Sequence, residues 1–237
     1  MNTSLSPTDT PREAAKAPGR RTVDVPIRAF HALFALSFTG AWLTGDSEQW
    51  RLVHVTLGYT MIGLLVFRIL WGLLGPRHAG LGLLVRRLKN LPSPKTLINA
   101  KGGGMNWRPG LQWLLAAMMA GLLLVTVPVT LSGYAVYQEW GGEWLEEVHE
   151  LFGNVFLAFV VAHLALIAWL SRLQRQNLAM PMLTGRRAEA GTDLVKKNHA
   201  WLAVLMLVCV GGFWGWQWQQ APVSSAPMEA GQELDDD

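Results

Sequence analysis

The sequence predicts an all-α integral membrane protein: a four-helix transmembrane bundle followed by a fifth, C-terminal transmembrane helix. Three observations lead there. Of 237 residues, 51% are hydrophobic and only 16% charged, a balance unlike that of a soluble domain. Five stretches, roughly 27–45, 52–74, 111–133, 149–170 and 200–218, come near the 20 or so apolar residues that carry a helix across about 30 Å of hydrocarbon. Lysine and arginine then sort to one side of those five stretches.

Taken in order, residues 1–25 are rich in Pro, Thr, Ser and Arg and are expected to be a disordered cytoplasmic tail. The first apolar stretch starts too late for a signal peptide, lacks a small-residue cleavage site and carries His31, so it is read as a helix. The second, 52–74, carries His54 near its start and Arg68 deep within it. Leu81 to Leu91 alternates apolar and basic residues at helical spacing, which suits a helix lying in the interface, until Pro92 and Pro94 break it. The third span contains Pro128, where a kink is expected. The fourth carries two histidines. Residues 173–199 are read as a cytoplasmic loop, 200–218 as the fifth span, and 219–237 as an acidic periplasmic tail.

Charge fixes the orientation. Arg12, Lys16, Arg20, Arg21 and Arg28 precede the first span. Basic residues also fill the 75–110 and 171–199 loops. On the opposite side Arg51 is the one basic residue, beside Glu139, Glu143, Glu146, Glu147 and Glu150. The positive-inside rule puts the N-terminus in the cytoplasm and the C-terminus outside. The basic residues lie in loops between apolar stretches, which argues against a nucleic-acid partner. Cys209 is the single cysteine, which excludes an internal disulfide, a thiolate cluster and a thioether-linked haem.

The chemistry lies in four histidines. With spans running up, down, up and down, His31 and His163 share the inner level, and His54 and His149 the outer level. The 14 residues from His149 to His163 return to within roughly 40° of one helix face and rise about 21 Å. One helix therefore offers an imidazole to each of two centres. Each pair can clamp a planar cofactor from both faces, and bis-imidazole iron in haem b fits best. The alternative is that the histidines are interhelical hydrogen bridges, or for the outer pair interfacial residues. Arg68 lies deep in the second span at the inner level, as a haem-propionate partner or as a side chain snorkelling to the headgroups. Arg28, one turn before His31, has the same two readings. Gly58 and Gly153, each one turn after an outer histidine, let a flat macrocycle approach, or else another helix. His78 and His199 occupy interfacial positions and are read as solvated.

The runs VDVPIRAFHALFALSF, HVTLGYTMIGLLVFRILWGLLGPRHA and EEVHELFGNVFLAFVVAHLALI resemble the bacterial di-haem cytochrome b561 family, which is akin to the cytochrome b subunits of nickel–iron hydrogenases. The resemblance covers about residues 22–172. It implies a four-helix di-haem domain over 26–172, with ligation by His31, His54, His149 and His163. Many relatives carry Gly-His-Asn-Pro before the third helix, near a quinone site. Here Met105 stands at the histidine position, and Asn106 remains as a quinone partner.

The implied function is electron transfer across a bacterial inner membrane, between the quinone pool and a periplasmic partner such as a c-type cytochrome. The acidic segment 139–150 would steer a basic partner. The competing readings are a haem-bearing anchor subunit of a hydrogenase or dehydrogenase, a superoxide:quinone oxidoreductase, and a small transporter with a histidine pathway.

Overall fold

The computed structural model describes residues 19–76, 79–92, 108–187 and 191–220. These form helices α1 (Val25–Thr44), α2 (Arg51–Leu74), α3 (Leu81–Lys89), α4 (Arg108–Tyr137), α5 (Glu143–Gln174), α6 (Met180–Thr184) and α7 (Ala200–Gln219). Two short strands, β1 (Arg20–Arg21) and β2 (Arg186–Arg187), pair antiparallel. Thus residues 20–21, inside the stretch expected to lack structure, are held in place by a segment more than 160 positions away.

Helix boundaries follow local chemistry. Asp24 caps α1 by accepting a 3.1 Å hydrogen bond from the Ile27 amide, and Pro26 sits in the first turn, where its missing N–H costs nothing. The Gly75 amide closes α2 on the Trp71 carbonyl at 3.0 Å. Glu143 and Glu146 stand in the first turn of α5, where a carboxylate complements the exposed amides. That helix is 32 residues long, ten more than its apolar stretch, because its acidic first turn and basic last turn are helical too. In α4 the helix continues through Pro128.

Four of these segments are long and apolar enough to cross a membrane: Glu48–Leu74, Pro109–Tyr137, Glu143–Gln174 and Ala200–Gln219. The protein is a multi-pass membrane protein. Large apolar side chains such as Leu70, Leu73, Leu124, Val161 and Val208 face outward, as a hydrocarbon solvent allows. α1 has the length of a span, but Arg28, His31, Ser37 and Thr39 interrupt it, and it is not among the four. Four threonine hydroxyls within the spans are satisfied inside their own helix. Thr56, Thr60, Thr126 and Thr130 each donate to the carbonyl four residues back at 2.7–2.8 Å.

α4 pairs with α5 and α1 with α2, and α2 also packs on α4. α7 lies outside this group against α1 and α2, fastened by a 2.8 Å bond from Trp214 Nε1 to Thr60 Oγ1. The core is layered. Met61, Val129 and Phe156 are buried at its centre, while Phe30, Leu64 and Met206 join α1, α2 and α7. α3 is tied to α4 by Trp113 Nε1 donating to the Leu88 carbonyl at 3.0 Å. Arg28 binds α6 to α1 by donating to the carbonyls of Met182, at 3.2 Å, and Leu183.

Asp24 is fully buried and also accepts from Trp71 Nε1 at 3.2 Å, joining the start of α1 to the end of α2. Asp24→Ala removes both contacts and is expected to cost about 1–3 kcal/mol. Asp24→Asn, which keeps an acceptor, should cost less. The unfolding midpoint in detergent measures both, and unchanged midpoints would contradict this role.

Candidate functional site

α2 and α5 bring the His54 and His149 rings close together. Their ring centroids are 6.0 Å apart and the ring planes are almost perpendicular, at 85°. Each ring is oriented from behind. His54 Nδ1 lies 2.8 Å from the Ala41 carbonyl on α1, and His149 Nδ1 lies 2.9 Å from the Val129 carbonyl on α4. A carbonyl only accepts, so each Nδ1 carries the proton and donates it. Each Nε2 is left with its lone pair, the form a metal binds. The Ser132 hydroxyl stands 3.2 Å from His149 Nδ1 and supports the same orientation.

The separation matches a shared ligand. A metal–nitrogen bond of about 2 Å on each side, plus about 1 Å from nitrogen to ring centre, gives roughly 6 Å between centroids. Among the described residues no group of three or more His, Cys, Asp or Glu side chains converges on a metal position. Two protein ligands alone suit a metal that arrives with its own equatorial donors, as iron does in haem. Room for a flat ring exists as well. A Cβ at Gly58 or at Gly153 would meet nothing within 4 Å. The residues present therefore fit a haem at this tier.

The second tier is built by α1 and α5. His31 lies on α1 and His163 on α5. His163 Nδ1 is buried with no hydrogen-bond partner, and His31 is exposed along its helix. Aromatic side chains connect α1 and α5. Phe38 meets Phe156 at 4.4 Å between centroids, and Phe34 meets it at 6.2 Å. Phe156 is 1% exposed and sits seven residues from both His149 and His163. Phe38 follows His31 by seven, and Met61 follows His54 by seven. An apolar layer thus separates the two histidine tiers.

Other expected residues have different surroundings. Arg68 donates to the Ala79 carbonyl at 3.2 Å. Arg28 is engaged with α6, as described above. His199 begins α7 with its ring 5.3 Å from that of Trp71. Asn106, Met105 and His78 lie outside the described residues.

Sequence reasoning missed Gly133. A Cβ there would stand 2.7 Å from His149 Cε1 and 3.1 Å from Nδ1, so only glycine leaves space for the ring. The carbonyls of Ala41 and Val129 were missed too, because backbone acceptors carry no sequence signal.

A family model described as prokaryotic cytochrome b561 matches residues 22–185, more than half of the chain. The protein belongs to the prokaryotic cytochrome b561 family. A b-type cytochrome of this kind binds haem b and transfers electrons across a membrane. Comparison with curated proteins and with solved structures gives no match. The family match takes in α1 to α6 and all four tier histidines but ends before α7.

Gly133→Ala should displace the His149 ring and lower the haem-to-protein ratio of the purified protein. Gly212→Ala, where an added Cβ has open space, is the control and should leave that ratio unchanged. Equal haem content in both variants would contradict the steric argument.

Proposed function

We propose that this cytochrome relays electrons through two bis-histidine b haems, one held by His54 and His149 and the other by His31 and His163. The single observation that carries the reading is the His54–His149 pair, 6.0 Å apart with both Nδ1 atoms tied to helix carbonyls. Haem b at each tier supplies a one-electron iron couple.

The chain's own residues do the rest. Ala41 and Val129 hold two imidazoles in the metal-binding tautomer. Gly58, Gly133 and Gly153 keep bulk away from the rings. Phe38, Met61 and Phe156 fill the space between tiers and exclude water, which keeps the local dielectric low. Arg68 is the cation available to a propionate at the inner tier. Arg28 keeps donors for the same purpose beyond those it gives to α6.

In this reading α1 is a fifth span, the N-terminus is cytoplasmic and the C-terminus periplasmic, in the inner membrane of a bacterium. The electrons pass between membrane quinone and a periplasmic protein. Glu139, Glu143, Glu146, Glu147 and Glu150 are all exposed, and five carboxylates within twelve residues favour a basic partner such as a c-type cytochrome.

Two haems per chain are expected. His31→Ala and His163→Ala should each remove the same one, and His54→Ala and His149→Ala the other. Haem content and reduced-minus-oxidised spectra read this directly, and a colourless wild-type protein would overturn the relay. Replacing Glu146, Glu147 and Glu150 with Lys should slow reduction or oxidation of a basic c-type cytochrome about tenfold or more at low ionic strength, with the difference fading in high salt. Equal rates at low salt would remove the docking role.

A further inference from the structure

β1 and β2 set four arginines against one another. Arg20 pairs with Arg187 and Arg21 with Arg186, so residues directly opposite carry like charge, which opposes strand pairing. Backbone bonds hold the pair together nonetheless. The Thr22 and Val23 amides donate to the Gly185 carbonyl at 2.9 and 3.3 Å, and the Leu194 amide donates to the Arg21 carbonyl at 2.9 Å. The Arg21 amide donates to Asp193 Oδ1 at 2.8 Å, and Arg186 Nη1 to the Gly19 carbonyl at 2.9 Å. All four arginines are half-buried in this arrangement.

One face of the sheet carries donors that lack acceptors among the described residues. Side chains alternate along a strand, so Arg20 and Thr22 share the face on which Arg187 stands opposite Arg20. Arg20 Nε and Thr22 Oγ1 are both buried, and neither has a hydrogen-bond partner. Arginines placed only by membrane topology would keep their N–H groups in water, whereas a buried guanidinium N–H without an acceptor is costly. Gly191 packs against the Arg20 stem, where a Cβ would come within 3.3 Å of Cδ. The donor set is that of an oxyanion site: a planar guanidinium fork, a hydroxyl two residues on, and a second guanidinium across the ladder to supply charge. A phosphate group has enough oxygens to accept from each.

We infer that the Arg20–Thr22 face of this sheet binds a phosphate group. An anionic lipid headgroup and a soluble phosphate present the same oxygens, and the surroundings favour the lipid. Leu194, bonded to β1, is 49% exposed, and Leu183, two residues before Gly185, is 68% exposed. Apolar side chains bared beside arginines suit acyl chains below an anionic headgroup. The family match runs from 22 to 185, so β1 and β2 lie just beyond its two ends, and the arginine sheet belongs to this chain's own flanks. The site is independent of the haem relay.

The full-length protein, delipidated in a neutral detergent, is titrated at constant ionic strength with phosphatidylglycerol, phosphatidylcholine or inorganic phosphate. The unfolding midpoint then gives an apparent affinity for each. Phosphatidylglycerol is expected to raise the midpoint at concentrations about tenfold or more below those that phosphatidylcholine needs. If inorganic phosphate raises it and phosphatidylglycerol does no more than phosphatidylcholine, the site stands with a soluble phosphate as its ligand. Arg20→Gln should weaken the effective ligand about tenfold. Arg20→Lys, which keeps the charge but not the fork, should weaken it less. Thr22→Val deletes the orphan hydroxyl and keeps every charge, and should still weaken it severalfold. Lys197→Gln, an exposed cation in the segment that follows β2, should leave it unchanged. No wild-type response to either phosphate source, undiminished affinity in Arg20→Gln or in Thr22→Val, or an equal loss in Lys197→Gln would overturn the site.

Discussion

A seven-residue interval organises the interior. His149, Phe156 and His163 recur at that spacing on α5, His54, Met61 and Arg68 on α2, and His31 and Phe38 on α1. Seven residues are close to two helical turns, so each series stays on nearly one face and steps about 10 Å deeper. Three helices that share the interval stack their side chains in common layers. The layers alternate in chemistry: a histidine pair, an apolar slab around Phe156, and a second level of histidines with Arg68 nearby. A shift of one helix by a single residue would turn an imidazole out of its layer by about 100°.

Many polar groups in this interior have partners, although His163 Nδ1 and Ser37 Oγ are buried without a hydrogen bond. His54 and His149 each spend one nitrogen on a neighbouring helix's carbonyl, which leaves the other nitrogen with its lone pair. An imidazole with both nitrogens unsatisfied in a low-dielectric bundle would cost several kcal/mol. The threonine hydroxyls bond within their own helices, and buried Asp24 is shared between the start of α1 and the Trp71 indole. In the relay proposed above, the second imidazole nitrogen of each ring is the one offered to haem b.

Much of this was legible in the sequence. Helical periodicity and apolar length located the helices to within a few residues, except where α5 extends into its charged ends. Depth alone put His54 opposite His149, and the structure brings their rings to 6.0 Å. What escaped depends on where two helices cross. Gly133 reads as one glycine among many until α4 lies against the His149 ring. Arg28 reads as a cation near a cofactor until residues 182 and 183, more than 150 positions away, offer it carbonyls. β1 was invisible because two arginines facing two arginines carry no strand signal. α7 was legible as a helix, but its Trp214–Thr60 bond to α2 exists only once the two are docked.

The most direct test of the histidine pairing is electron paramagnetic resonance of the oxidised protein at liquid-helium temperature. Imidazole on both faces of ferric haem enforces a low-spin iron, and ring planes 85° apart make that signal strongly anisotropic. The account predicts two low-spin ferric species per chain, at least one of them strongly anisotropic and lost in His149→Ala. A dominant high-spin signal, or a low-spin signal that survives His149→Ala unchanged, would contradict it.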